Sequence, residues 1–270
     1  MNLPVRNPAV AGRFYPPDRA TLQDEVEAFL LDRGASQPAV GCVVPHAGYI
    51  YSGPVAGAVY AAMDVPRRCL VLCPNHTGKG RPLAIMSTGA WATPLGEVAI
   101  DSSLAAALAQ RFPLLSEDSE AHRSEHAIEV QLPFLQQRNR QLTFVPIALG
   151  TGQFEVLEHL GQAVADVVRQ QTDPVLLVAS SDMNHYENDR TTREKDLKAI
   201  EQMLAMDARG LFDVVTSENI SMCGFGPTVV VLTAAKRLGA SSAQLVKYAT
   251  SGDVSGDRER VVGYAGVVVR

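Results

Sequence analysis

The chain has 270 residues, 46% of them hydrophobic and 20% charged, with a formal net charge of −5. That length and balance fit one soluble α/β domain with an ample core, and the negative charge excludes a general nucleic-acid-binding surface. No apolar run approaches the roughly 18 residues of a membrane helix, and the opening MNLPVRNPAV lacks the apolar core of a signal peptide, so no membrane partner and a cytoplasmic location are expected.

In chain order, RATLQDEVEAFLLDRG (19–34) spaces Leu22, Val26, Phe29 and Leu30 on one helical face, with Asp18 as cap and Gly34 as stop. AVGCVV (39–44) reads as a strand, and GPVAGAVYAAM (53–63) as a helix capped by Ser52 with Pro54 in its first turn. RCLVLC (68–73) is a strand, GEVAID (96–101) a more polar strand near an edge, and SSLAAALAQRF (102–112) a helix behind a capping Asp101. Then come the strand LTFVPIAL (142–149), the amphipathic helix FEVLEHLGQAVADVVRQQ (154–171) and the strand PVLLVAS (174–180). TTREKDLKAIEQMLAMD (191–207) and PTVVVLTAAKRLG (227–239) are helical, the second running from Pro227 to Gly239. AQLVKYAT (243–250) and VGYAGVVV (262–269) are the last strands, joined by a loop and expected to form an antiparallel hairpin. Several strands are apolar on both faces, as in a sheet covered on each side. The alternation predicts a single three-layer α/β/α domain over residues 1–270, with a largely parallel, mixed central sheet.

The four cysteines form no C-x-x-C pair, so a zinc ribbon or thioredoxin-type site is unsupported. Cys42, Cys69 and Cys73 lie in apolar strands and read as buried thiols. Cys223, in SMCGFGP, is followed by Gly224 and Gly226 ahead of a helix. It stands open as a nucleophile, a metal ligand or a packed thiol.

Three strands run into a histidine: VVPHAGY supplies His46, LCPNHTG supplies His76, and ASSDMNHYE supplies His185. Adjacent parallel strands bring their following loops together at one edge, where ligands bind. His46 and His76 suit metal ligation through one ring nitrogen, with the other held by a carbonyl or carboxylate. The residues leave two candidates for a third, anionic ligand, Asp182 and Cys223. Asp182 and His185 also read as an oriented acid/base pair, or Asp182 as the cap of the next helix. AHRSEHAIEVQLPFL (121–135) is not H-E-x-x-H; if helical, His122 and His126 would share a face, and Pro133 marks a start or kink. His126 and Glu125 are expected beside the ligands, and Tyr49, Tyr51 and Phe225 along the pocket. There is no phosphate loop, no dinucleotide fingerprint and no serine elbow. A metal-free hydrolase pairing Cys223 with His185 is an alternative.

RNPAVAGRFYP (6–16), VVPHAGYIYSGPVAGAVYA (43–61), PNHTG (74–78), EHAIEVQLPFL (125–135), SSDMNHYE (180–187), MCGFGP (222–227) and YATSGDVSGD (248–257) together resemble the Memo family. Its prokaryotic members are called protein B of the AmmeMemoRadiSam system. The resemblance implies a fold similar to class III extradiol dioxygenases. It also implies a metal pocket of His46, His76 and Cys223, with Asp182 and His185 beside it. Iron(II) or copper is the implied metal, with zinc as a third option, and the implied chemistry is a metal-dependent oxidation of a small molecule. A cysteine where those dioxygenases carry a glutamate departs from the ring-cleaving pattern. The resemblance equally implies a non-catalytic reading, in which the pocket binds a peptide or small ligand and radical-SAM system proteins are partners.

Overall fold

The structure is a computed structural model that describes residues 4–31 and 36–270, so the stop expected at Gly34 lies outside the described residues. The chain opens with a two-residue strand β1 (Val5–Arg6), then helix α1 (Arg19–Leu30), whose Thr21 N–H bonds the Asp18 side chain as expected of a cap. Strand β2 (Gly41–Val44) leads into α2 (Tyr49–Ala61), and β3 (Arg68–Pro74) follows. The next segment comprises β4 (Leu83–Ile85), β5 (Ala90–Thr93), β6 (Gly96–Ile100), α3 (Ser102–Arg111), β7 (Ser116–Glu117) and α4 (Glu120–Arg123). Next are α5 (Leu132–Arg138), β8 (Thr143–Leu149), α6 (Phe154–Arg169), β9 (Val175–Ser180) and β10 (His185–Glu187). The chain ends with α7 (Asp189–Leu204), α8 (Ala208–Ser217), α9 (Phe225–Arg237), β11 (Ala243–Thr250), α10 (Gly252–Ser255) and β12 (Val261–Val269).

The central strands lie in the order β1-β5-β6-β8-β3-β9-β2-β12-β10. β6, β8, β3, β9 and β2 are mutually parallel, whereas β12 runs antiparallel to β2, to β10 and to β11. The expected closing hairpin is therefore present, and the sheet is mixed. Alternation along β3 sorts its side chains: Leu70 and Leu72 pack with α3, α6 and α9, and Cys69, Val71 and Cys73 with α1, α2 and α5. Helices thus cover both faces, giving the three-layer α/β/α fold. Cys42, Cys69 and Cys73 are fully buried free thiols on the α2 side, as their apolar surroundings predicted.

Two local expectations need correction. Helix α2 begins at Tyr49, a turn earlier than Ser52; the Tyr49 N–H is met by Phe14 O at 2.8 Å, and the Ser52 hydroxyl donates to Ala47 O at 2.7 Å. A contact from 35 residues away does the work expected of a local cap. Pro54 consequently sits inside the helix and removes the bond to the Ile50 carbonyl, on an exposed residue where water can replace it. The strand 96–100 lies near an edge as expected, with only β5 and the two-residue β1 beyond it. His122 lies in the short α4 but His126 lies past its end, so the two do not share a helix face; Pro133 starts α5.

From β2 the chain moves outward through α2 to β3 and then to β8. It returns through α6, on the other face, to β9 between β3 and β2. That reversal opens a crevice beyond the carboxyl ends of these strands.

Candidate metal centre

His46 follows β2, His76 follows β3, Asp182 follows β9, and Cys223 precedes α9. His46 Nε2 lies 3.2 Å from Cys223 Sγ, and the His46 and His76 rings are 5.1 Å apart at 81°. One ligand atom from each of His46, His76 and Cys223 falls within 4.8 Å of the others. Ligands on one ion at metal–ligand distances of about 2.0–2.3 Å sit roughly 3–4 Å apart, so this set is able to hold a metal after a small contraction.

The tautomers can be deduced. The Ser180 hydroxyl donates its one proton to Ala127 O at 2.6 Å and accepts from Gln131 Nε2 at 2.9 Å. Its remaining contact, His46 Nδ1 at 2.9 Å, must therefore be a donor. Gln131 is itself oriented by Pro45 O and the Tyr60 hydroxyl. His46 thus carries its proton on Nδ1 and turns a bare Nε2 toward Cys223. His76 Nδ1 donates to Glu125 Oε1 at 2.9 Å, and His185 Nδ1 to Ser221 O at 2.8 Å. In their neutral forms all three rings present Nε2 lone pairs, the outer-partner arrangement found around metal-ligating histidines. Glu125 Oε1 also accepts the His126 and Ala127 N–H groups, and Oε2 accepts the His76 N–H. Glu125 is fully buried and acts as an orienting anion. With His76 and His126 it forms a second group of metal-ligand type.

Burial holds the His46 ring well below the usual imidazole range, reinforced by His76, His126 and His185. Burial also depresses His76, but the Glu125 carboxylate outweighs it and the ring is raised. Burial pushes Asp182 up to about 7, against the pull of the His46 and Ala47 N–H groups. Burial, then Asp182, push the Cys223 thiol up.

Asp182 accepts the His46 N–H at 2.7 Å and caps no helix; Asn188 caps α7. Asp182, His185 and His126 line a cavity of about 300 Å³ on one side of the cluster. Phe225 lines a second cavity of about 320 Å³ on the Cys223 side. Tyr49 lines neither: it is 2% exposed, donates to Val130 O and packs on Phe134. Tyr51 is half-buried and lines neither cavity. The structure brings Cys223 against His46, not against His185, which is held by the Ser221 carbonyl. Sequence reasoning missed Ser180, Gln131 and Tyr60, and the cavity residues Phe14, Tyr186 and Tyr264. Ser180 was the findable one, since it ends a strand next to SDMNH.

Asn184 joins the segments that carry His185 and Cys223. Its side-chain oxygen accepts the Ser221 N–H and hydroxyl, both at 3.0 Å, and its N–H donates to Asp196 Oδ1 at 2.8 Å. Asp196 is fully buried, accepts the Tyr248 hydroxyl at 2.7 Å, and burial raises it to about 7. A carboxyl raised in the fold stabilises fully below its unfolded value near 4, and that contribution is lost as pH rises through about 7. Asp196→Asn keeps the bond from the Asn184 N–H, reverses the Tyr248 contact so that the amide donates to the hydroxyl, and removes the titration. Urea unfolding should show wild type losing stability relative to Asp196→Asn between about pH 4 and 7, by up to about 4 kcal/mol in all. Parallel pH profiles would refute the assignment.

Fold and site together define an α/β/α protein with a histidine–cysteine cluster, of a kind able to hold a metal, at the carboxyl edge of its parallel strands. A family model described as Memo-like protein matches residues 6–268, and the chain belongs to the Memo family. It is 43% identical to a MEMO1 family protein of Methanopyrus kandleri, over 98% of this chain and 99% of that protein. It is 40% identical to one of Methanothermobacter thermautotrophicus, over 97% and 99%, and 42% identical to one of Methanosarcina mazei, over 98% and 99%. No helix among the described residues is long and apolar enough to cross a membrane.

Proposed function

We propose that this protein binds one divalent metal ion, iron(II) or copper with zinc as a third option, through His46 Nε2, His76 Nε2 and Cys223 Sγ, and uses it to oxidise a small molecule. The observation that carries the reading is the convergence of two Nε2 lone pairs, each fixed by a hydrogen bond at Nδ1, on one thiol. When bound, the ion supplies a Lewis acid and, for iron or copper, a one-electron redox centre. Cys223 contributes its sulfur after losing its proton, and Glu125 keeps His76 oriented. Asp182 and His185 face the same cavity, where the carboxyl and the free Nε2 of His185 move protons to and from the bound molecule. The whole chain acts as one Memo-like unit in the cytoplasm, with radical-SAM system proteins as its proposed partners.

One observation favours a second reading. Cys223 donates to His46 Nε2 at 3.2 Å, the contact of a thiol nucleophile with its base, so a metal-free hydrolase would use His46 and not His185. The raised thiol counts against it. Anaerobic purification with elemental analysis tests the choice. About one equivalent of iron or copper is expected, and less than roughly a tenth of an equivalent sinks the metal reading. A hydrolase would instead keep its activity in chelator and lose it to a thiol alkylator.

A further inference from the structure

We propose that the cavity bounded by His46, His126 and Tyr186 takes a small planar carboxylate, stacked on Tyr186 and drawn in by Arg13 and Arg260. This deepens the functional reading and rests on it for the identity of the cavity as the open side of the centre.

The first observation is backbone strain. Tyr186 has φ 63°, a left-handed conformation that bulky residues avoid. It occupies the bulge between His185 and Glu187 in the pairing of β10 with β12. Both flanks are anchored: His185 N–H to Ser221 Oγ at 2.8 Å, and Glu187 to Lys195 at 2.8 Å and Asn184 at 2.6 Å. The Tyr186 ring is 65% exposed, so packing does not offset the strain. Glycine would fit this backbone better. What the tyrosine adds is an aromatic face at the cavity rim, with His185 beside it. Strain held in place by surrounding anchors points to use.

The second observation is the shape and chemistry of the walls. Phe14 lies on His126 at 4.7 Å, and His126 stacks on His76 at 4.8 Å and 20°. Flat π-surfaces favour a flat guest, and about 300 Å³ is the small end of ligand cavities.

The third observation is charge. Arg260 lies over the Tyr186 ring at 5.6 Å, and Arg13 directly precedes Phe14, which lines the cavity. Neither has an ion-pair partner among the described residues, whereas nearby Arg258 and Arg193 are held by Asp189 and Asp253. The acids at the cavity are engaged, Asp182 by the His46 N–H and Glu125 by His76. An arginine without an ion-pair partner over the Tyr186 ring, and a second adjoining Phe14 in sequence, in a chain of net charge −5, favour an anion.

The test uses chelator-stripped protein, so that it stands whether or not the metal reading survives. Benzoate, benzamide and cyclohexanecarboxylate are titrated by saturation-transfer NMR, and inorganic phosphate by its displacement of the benzoate signal. Benzoate should bind at least about 5-fold tighter than each of the others, from ring stacking and charge together. Tyr186→Gly should hold or raise the thermal midpoint while weakening benzoate about 5-fold, and Tyr186→Phe should keep the affinity. Arg13→Gln and Arg260→Gln should each weaken benzoate about 2- to 5-fold and flatten its salt dependence. Equal binding of benzoate and benzamide, equal binding of phosphate, or unchanged affinity in Tyr186→Gly would overturn the proposal.

Discussion

Cys223→Ala should lower metal affinity by more than about 100-fold, because loss of even an outer partner costs roughly 10- to 100-fold and Cys223 supplies a ligand atom. His46→Ala should match it. Ser180→Ala should sit lower, at about 10-fold, because it leaves the His46 ligand in place and removes the acceptor that holds its proton on Nδ1. Competition against a chelator of known affinity, read by elemental analysis after desalting, gives all three numbers. The same experiment resolves the choice of third ligand that the sequence left open. Asp182 already accepts the His46 N–H at 2.7 Å and is 5% exposed. Asp182→Ala should therefore retain the metal with a modest loss. Full retention in Cys223→Ala together with loss in Asp182→Ala would exchange their roles. Gly224 explains why the cysteine can approach at all. A side chain there would collide with Ser180 O and Ser181, and the Gly224 N–H instead bonds Ser181 Oγ at 3.1 Å.

The histidines were legible because each follows an apolar run short enough to be a parallel strand, and topology alone then puts His46, His76 and His185 at one edge. Strand faces were legible for the same local reason, as the buried Cys69 and Cys73 show. What could not be read was anything fixed by distant chain. The start of α2 depends on Phe14 O, and the His46 tautomer on Gln131, 85 positions away. Tyr49 looked like a pocket residue because it adjoins His46 in sequence, yet the first turn of α2 rotates it into the core. Helix α8 was overlooked, although Asp207 caps it and Leu211 and Val215 mark its buried side. Tyr186, like Met206, sits where local rules fail. Nothing in NHYEN forces a left-handed tyrosine, and the surrounding anchors had to be seen first.

Glu129→Ala should be the costliest substitution away from the cluster, about 3–5 kcal/mol, because it strands a buried charge. Glu129 is fully buried, and its carboxylate accepts four bonds: Arg6 at 2.8 Å, the Ala9 N–H at 2.8 Å, the Val10 N–H at 3.0 Å and the Tyr15 hydroxyl at 2.7 Å. It thereby ties RNPAVAGRFYP to EHAIEVQLPFL, two motifs whose conjunction the sequence could not explain. Arg6 continues the link, donating to His122 O and Glu125 O at 2.6 Å each and lying 4.0 Å over the Trp91 ring. Removing the carboxylate leaves that guanidinium and three other donors buried without their acceptor. At roughly 2–4 °C per kcal/mol for a chain of this size, the melting midpoint should fall by about 10 °C or more. Because Arg6 holds the carbonyl of Glu125, the loop that orients His76 should loosen too, and metal affinity should drop in the same variant although Glu129 supplies no ligand atom. The pairing itself is tested by Arg6→Met with Glu129→Leu, which removes both charges and should be less destabilised than Glu129→Ala alone. A double variant as unstable as the sum of the singles would mean that the two residues act separately, and that the N-terminal segment is fastened by its backbone contacts to the Glu129 loop and not by this ion pair.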